Sequence, residues 1–204
     1  WRHLANTGTE RWLSAVHFLD EDHGWAAGEY GAFIATSDGG RTWRRQEAPT
    51  RNAPFGIRAL IRSIHFLNHS EGWVAGDRGT FMHTLDGGLT WQSVDLGFAS
   101  SVTGSMHFNA IRFFDGQRGL LIGDPRAIAY WTQDAGRTWI REDGPTSTAL
   151  RGACIDPRGV AWAVGELGCI ACRGEQNWQL VTGETEKPRL LYGTPHGHHV
   201  NSTC

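Results

Sequence analysis

Residues Ala15 to Trp43 read AVHFLDEDHGWAAGEYGAFIATSDGGRTW, and residues Ser63 to Trp91 read SIHFLNHSEGWVAGDRGTFMHTLDGGLTW. The two stretches are copies of one unit. A third copy, AIRFFDGQRGLLIGDPRAIAYWTQDAGRTW, runs from Ala110 to Trp139, and a weaker fourth, GACIDPRGVAWAVGELGCIACRGEQNW, from Gly152 to Trp178. Their closing tryptophans, Trp43, Trp91, Trp139 and Trp178, stand 48, 48 and 39 residues apart. Each unit divides into four short segments. The first is alternating and apolar (Val16–Phe18, Ile64–Phe66), and the second is the Gly-Trp element (Gly24–Gly28, Gly72–Gly76). A tight turn, Glu29-Tyr30-Gly31 or Asp77-Arg78-Gly79, leads to a third (Phe33–Thr36, Phe81–Thr84). A second turn, Asp38-Gly39-Gly40 or Asp86-Gly87-Gly88, leads to a fourth expected to open on Trp43 or Trp91. Acid-x-Gly and Asp-Gly-Gly between apolar runs are hairpin signals, because glycine supplies the positive φ that tight turns need. No segment keeps a helical period over eleven residues. Four antiparallel strands per ~40–50 residues, repeated, predict an all-β fold, a β-propeller of four-stranded blades with about four blades visible.

Composition agrees with this reading. The chain has 204 residues, 27 of them glycine and 10 tryptophan, and the repeat places most of both: glycines at turns and strand ends, tryptophans in the Gly-Trp element and at the close of each unit. The net charge of -2 and the 20% charged residues argue against an overall basic nucleic-acid binder and against disorder. The longest apolar runs are a few residues, far short of the ~20 that a membrane-crossing helix needs. One propeller domain or propeller fragment is expected over 1–204, with repeats at about 13–46, 61–94, 108–142 and 150–181 and a C-terminal tail at 183–204. Trp1 matches the opening of a fourth segment, and neither an initiator methionine nor a basic-then-apolar leader precedes it, so a processed product or a fragment is expected.

The second turn carries a sharper motif. Thr36 to Trp43 (TSDGGRTW), Thr84 to Trp91 (TLDGGLTW) and Thr132 to Trp139 (TQDAGRTW) share the pattern [ST]-x-D-[GA]-G-x-T-W. Asp38, Asp86 and Asp134 are read as structural: a carboxylate at the head of a turn accepts hydrogen bonds from amides that the turn leaves unpaired. Thr42, Thr90 and Thr138 close the motif, and Trp43, Trp91 and Trp139 are expected to wedge between neighbouring sheets. The fourth copy, Arg173 to Trp178, has lost the aspartate and the threonine.

This motif resembles the Asp-box, or bacterial neuraminidase repeat. Joined to Gly24-Trp25-Ala26-Ala27-Gly28, Gly72-Trp73-Val74-Ala75-Gly76 and Trp162-Ala163-Val164-Gly165, it is similar to the repeats of the photosystem II stability/assembly factor family, over Leu13 to about Val181. The resemblance implies a seven-bladed propeller, exported to the thylakoid lumen, the periplasm or the cell exterior. It further implies a non-catalytic protein-binding scaffold with a membrane-protein subunit or assembly intermediate as partner, and no cofactor. The chain is too short for seven blades of ~45 residues, so either a piece of a larger propeller or an irregularly closed ring is expected.

Two long connections carry the candidate partner face: Glu47–Leu60 with Arg51, Phe55 and Arg58, and Asp95–Phe108 with Phe98 and His107. Arg62 and Arg151 stand at equivalent first-strand positions beside them. The basic residues are 18 arginines and one lysine, and arginine offers a planar fork to carboxylates and carbonyls. Glu29, Asp77, Asp124 and Glu166 sit in the turns after the second strands; they either ring a channel mouth as a cation or acid/base set, or simply pair with nearby arginines and amides. No metal site is assigned. Cys169 and Cys172 have C-x-x-C spacing but fall on a third strand, where residues three apart face opposite ways. His196, His198, His199 and Cys204 form a metal-capable tail that a solvated terminus explains equally well. His17 and His65 repeat at one strand position and read as packing residues. The enzyme alternative is a sialidase-like Asp-box glycosidase, which would need a tyrosine nucleophile; the tyrosines are Tyr30, Tyr130 and Tyr192, and no Phe-Arg-Ile-Pro element is present. A carbohydrate-binding or adhesion propeller is the third reading.

Overall fold

A computed structural model of the chain describes residues 7–52, 59–97, 102, 104–144, 146–174 and 177–181. They form four separate four-stranded antiparallel sheets, each built from consecutive strands. The first sheet holds β1 (Leu13–Phe18), β2 (His23–Gly28), β3 (Phe33–Ser37) and β4 (Arg44–Arg45). The second holds β5 (Ile61–Phe66), β6 (Gly72–Gly76), β7 (Phe81–Thr84) and β8 (Gln92–Ser93). The third holds β9 (His107–Phe113), β10 (Gly119–Asp124), β11 (Ile128–Thr132) and β12 (Ile140–Asp143), and the fourth β13 (Leu150–Ile155), β14 (Ala161–Gly165), β15 (Ile170–Arg173) and β16 (Trp178–Leu180). The strands β1, β5, β9 and β13 neighbour one another in that order. These are the blades of a partial β-propeller. β4 and β8 begin one residue after Trp43 and Trp91 rather than on them, because the preceding turn extends through Thr42 and Thr90, whose amides are tied to Asp38 and Asp86.

The core lies between sheets rather than within one. Trp25, Ala27 and Phe33 of the first sheet pack on Ile61, Ile64, Phe66, Val74, Met82 and Trp91 of the second. Trp73, Ala75 and Phe81 then pack on the third, and Leu120, Ile122 and Trp131 on the small residues Ala153, Ala161, Ala163 and Ala171 of the fourth. Trp25 stacks on Phe66 with ring centroids 3.7 Å apart and planes 3° apart. Trp91 meets the edge of Phe33 from the preceding sheet at 5.3 Å, and Trp139 does the same to Phe81 at 5.2 Å. Trp91 and Trp139 thus each rest on the blade before their own. The first sheet shows the converse: Val16 is 64% exposed, whereas Ile64, at the same place in the repeat, is 2% exposed. Among the described residues no sheet covers that face of β1.

One irregularity recurs in every sheet. The first strand carries a β-bulge at Ser14, Arg62, Asn109 and Arg151, opposite the last residues of the second strand. A bulge leaves one residue out of the ladder and re-aims its side chain. It also brings backbone against backbone. A Cβ on Gly28, Gly76, Gly123 or Gly165 would stand 1.9, 2.1, 2.0 or 2.4 Å from the carbonyl oxygen of Trp12, Leu60, His107 or Ala149. This close approach is why the Gly-Trp element must end on glycine. Its opening glycine has a different reason: at Gly24, Gly72 and Gly119 a Cβ would strike the ring of Phe18, Phe66 or Phe113 at 2.8 Å or less.

Candidate functional site: the face of the second-to-third strand turns

The bulges aim side chains at the turns between second and third strands, and those turns are where the chain is most unusual. In each, the central residue has a left-handed backbone without being glycine: Tyr30 (φ 54), Arg78 (φ 55), Arg126 (φ 63) and Leu167 (φ 57). Glycine follows in three of the four, as Gly31, Gly79 and Gly168. A bulky residue at positive φ is uncommon and strained, and such strain persists only where the surroundings impose it. Here the imposing bonds are identifiable. The amide of Glu29 donates to Trp12 O at 2.8 Å, that of Asp77 to Leu60 O at 2.9 Å and that of Glu166 to Ala149 O at 3.1 Å. Gly31 and Gly79 donate across to Ala59 O and Met106 O of the next connection. All four left-handed side chains are exposed, so a tyrosine, two arginines and a leucine project from one face.

Beneath them lies a network of charged pairs. Arg62 donates from Nε to Asp77 Oδ1, and His107 Nδ1 approaches the same oxygen at 2.9 Å from the next sheet. Burial pushes the Asp77 carboxyl up, but Arg62 and His107 outweigh it and hold it below the ordinary carboxylate range. Arg151 bridges Asp124 Oδ2 at 2.6 Å and Glu166 Oε1, while Asn109 donates to Asp124 Oδ2 at 3.1 Å and to Leu150 O at 2.7 Å. The hydrogen bond that Arg151 donates to Glu166 is the largest influence raising Arg151 above its usual value. The Arg62 guanidinium is thus engaged through Nε within its own blade, and that of Arg151 clamps the turns of the third and fourth blades together. Arg51 is exposed on the short 3₁₀ turn Pro49–Asn52 and pairs with Glu47 at 2.6 Å. Phe55, Arg58 and Phe98 lie outside the described residues, as do His196, His198, His199 and Cys204. By contrast Arg78 and Arg126 make no ion pair among the described residues. The sequence marked their turns as punctuation; the signal that would have singled out Arg78 is its place between the turn acid and the glycine, whereas Arg126, followed by Ala127, carries no such signal.

The Asp-box aspartates sit at the opposite ends of the sheets, in a geometry repeated almost atom for atom. Thr42 donates to Asp38 through its amide at 2.8 Å and its hydroxyl at 2.6 Å, and Thr36 Oγ1 donates to Asp38 at 2.8 Å. Asp86 with Thr84 and Thr90, and Asp134 with Thr132 and Thr138, repeat it. The Thr42 and Thr138 hydroxyls and amides hold Asp38 and Asp134 at about 2. These carboxylates are consumed in closing turns. The fourth blade replaces the motif altogether: Arg173, standing where the others have threonine, grips Glu142 of the third sheet through two bonds of 2.8 and 2.5 Å and lies 4.1 Å over the Trp131 ring. Nothing local in the sequence announces that clamp. Cys169, buried just before β15, and Cys172 within it are free thiols.

A family model described as photosynthesis system II assembly factor YCF48 matches residues 1–97 and 52–156. The chain belongs to that family. The solved structure of YCF48 bound to D1 peptide is 23% identical, with a TM-score of 0.65 over 85% of this chain and 55% of that one. YCF48 from Cyanidioschyzon merolae is 19% identical, with a TM-score of 0.64 over 85% of this chain and 57% of that one. The chain thus spans a little over half the length of these two YCF48 structures. The GH74 xyloglucanase from Xanthomonas campestris, 15% identical with a TM-score of 0.65 over 86% of this chain and 31% of that one, shares the blade architecture. No protein of curated function matches the sequence. Membership accounts for the Asp-box and the Gly-Trp element together; among the described residues no helix of this YCF48-family chain is long and apolar enough to cross a membrane.

Proposed function

We propose that this chain is a non-catalytic assembly scaffold that captures a polypeptide segment of a membrane-protein subunit on the face of its second-to-third strand turns. The observation that carries the reading is the projection of Tyr30, Arg78, Arg126 and Leu167 from four strained turns on one side of the molecule. Two arginines without an ion pair among the described residues and a tyrosine are side chains that recur at protein-binding hot spots. The clamped network below keeps the turns rigid, so little ordering cost accompanies binding. Family membership supports the class of partner, and the relative solved with D1 peptide supports a peptide as the bound form.

One acid of this face bears on the non-catalytic part. A glycosidase needs one carboxyl held protonated near neutral pH, and Asp77, held ionised by Arg62 and His107, is unsuited to that role. An exported compartment, periplasm or thylakoid lumen, goes with this reading, and fractionation of the native host tests it. The direct test of function is fluorescence anisotropy of a labelled D1 peptide. The Arg78→Glu/Arg126→Glu double variant is expected to weaken capture by at least ~10-fold. Equal affinity in the double variant would remove this face as the interface. Turnover of a fluorogenic xyloglucan or sialic-acid substrate that vanishes on Asp77→Asn would overturn the non-catalytic reading.

A further inference from the structure

The connections between first and second strands, on the side away from the proposed peptide face, hold a second chemical feature. Each of the four begins with an Asx turn. Asp20 Oδ1 accepts from the amides of Asp22 and His23, Asn68 from Ser70 and Glu71, Asp115 from Gln117 and Arg118, and Asp156 from Arg158 and Val160. In the third and fourth blades an arginine of the same turn neutralises the second carboxylate oxygen: Arg118 reaches Asp115 Oδ2 at 2.8 Å and Arg158 reaches Asp156 Oδ2 at 2.9 Å. The first blade differs. No guanidinium reaches Asp20 among the described residues; two imidazoles do, one from each of two blades. His23 Nδ1 stands 3.1 Å from Asp20 Oδ2, and His69 Nε2, from the second blade, stands 3.0 Å from the same oxygen. The two rings meet edge to face with centroids 4.4 Å apart. The three donor atoms all lie within 4.8 Å of one another.

We propose that Asp20, His23 and His69 form a binding site for a zinc-class divalent cation that bridges the first and second blades. Zinc–nitrogen and zinc–carboxylate bonds of ~2.0–2.2 Å place the ligands of a tetrahedral ion about 3.4 Å apart, within the spread of the separations here. The three side chains therefore need only small rotations to close on an ion. The Asx turn fixes the carboxylate, and its amide bonds, that of His23 foremost, keep it ionised well into acid. Two imidazole nitrogens with one carboxylate oxygen favour zinc, nickel or copper over magnesium and calcium, which take oxygen ligands. All three side chains are partly exposed, which leaves an entry path and an open fourth position for water.

Isothermal titration of the chain with zinc chloride tests this. One ion per chain is expected, with magnesium and calcium silent. Zinc at about 100 times its dissociation constant is expected to raise the melting temperature by roughly 5–10 °C, because it joins two blades only in the folded state. His23→Ala and His69→Ala should each weaken binding more than ~10-fold while leaving the metal-free melting temperature unchanged; His69→Gln serves if an alanine variant folds poorly. Cobalt substitution should give an absorption spectrum without thiolate-to-metal charge transfer, and the triple variant His196→Ala/His198→Ala/His199→Ala should bind as before. No zinc binding, or binding that survives in the His23→Ala/His69→Ala double variant, overturns the proposal.

Discussion

Replacing Gly76 by alanine tests the account of the bulge most directly. The added methyl would lie 2.1 Å from the Leu60 carbonyl oxygen and 3.0 Å from Ile61 Cα, both backbone atoms of the bulged strand. A flexible side chain could move aside; a paired backbone cannot, so β5 must shift away from β6. Overpacking of this kind costs about 1–3 kcal/mol. The shift also stretches the 2.9 Å hydrogen bond from the Asp77 amide to Leu60 O, worth about 1 kcal/mol more. The sum is about 2–4 kcal/mol, or a melting temperature lower by roughly 4–16 °C for a domain of this size. Tryptophan fluorescence during urea and thermal unfolding reads it. Gly116→Ala is the matched control: nothing lies within 4 Å of its Cβ position, and the smaller entropy of the unfolded chain should leave stability equal or raised by about 0.4–1 kcal/mol. If Gly76→Ala is as stable as Gly116→Ala, the close approach at the bulge is not what demands glycine there.

Other outcomes follow from the same geometry. Trp91→Ala should cost about 3–5 kcal/mol, because Trp91 is 4% exposed between two blades; Trp43→Ala, whose ring is only half-buried, should cost distinctly less in the same urea series. Arg173→Ala should cost about 1–3 kcal/mol by leaving the half-buried Glu142 without its partner, and Glu142→Leu/Arg173→Leu together should recover part of that loss. Burial, then the neighbouring His17 and Arg112, hold His65 at about 3. A histidine neutral in the fold but protonated when unfolded contributes its full stability above about pH 6.5 and loses it as pH falls toward 3; His65→Leu should flatten that part of the stability–pH curve. Asp38 and Asp134, at about 2, act in the same direction at lower pH: their contribution is present above about pH 4 and lost as pH falls through 2. Carboxyl-carbon NMR should show both titrating below the ordinary aspartate range.

The architecture was legible in the sequence because it is periodic. A hairpin turn announces itself through a few adjacent residues, and the same four-strand unit written four times leaves little choice of fold. The Asp-box could be read for the same reason: Asp38, Thr42 and the amides between them interact within one turn, so their chemistry is visible at short range. The role of glycine in the Gly-Trp element was visible only as composition. Its cause is the carbonyl of a residue about sixteen positions earlier, brought within 2.4 Å or less by the bulge, and no local pattern encodes that approach.

The proposed partner face divides along the same line. Its long connections and their arginines could be marked in the sequence, but not which arginines stand outside an ion pair among the described residues. Arg62 and Arg151 resemble Arg78 and Arg126 as residues; they differ because bulges turn the first pair onto Asp77, Asp124 and Glu166 and positive φ turns the second pair outward. The inter-blade clamp of Arg173 on Glu142 and the meeting of Asp20, His23 and His69 depend on sheets stacking side by side, which joins residues 31 to 49 positions apart. By itself the sequence determined the repeat, the blade and the turns, since those are short-range consequences of side-chain size and backbone freedom. Tertiary structure alone decided which charges are neutralised and which remain available, because an ion pair is set by distance in space, and distance between blades is not written in any one of them.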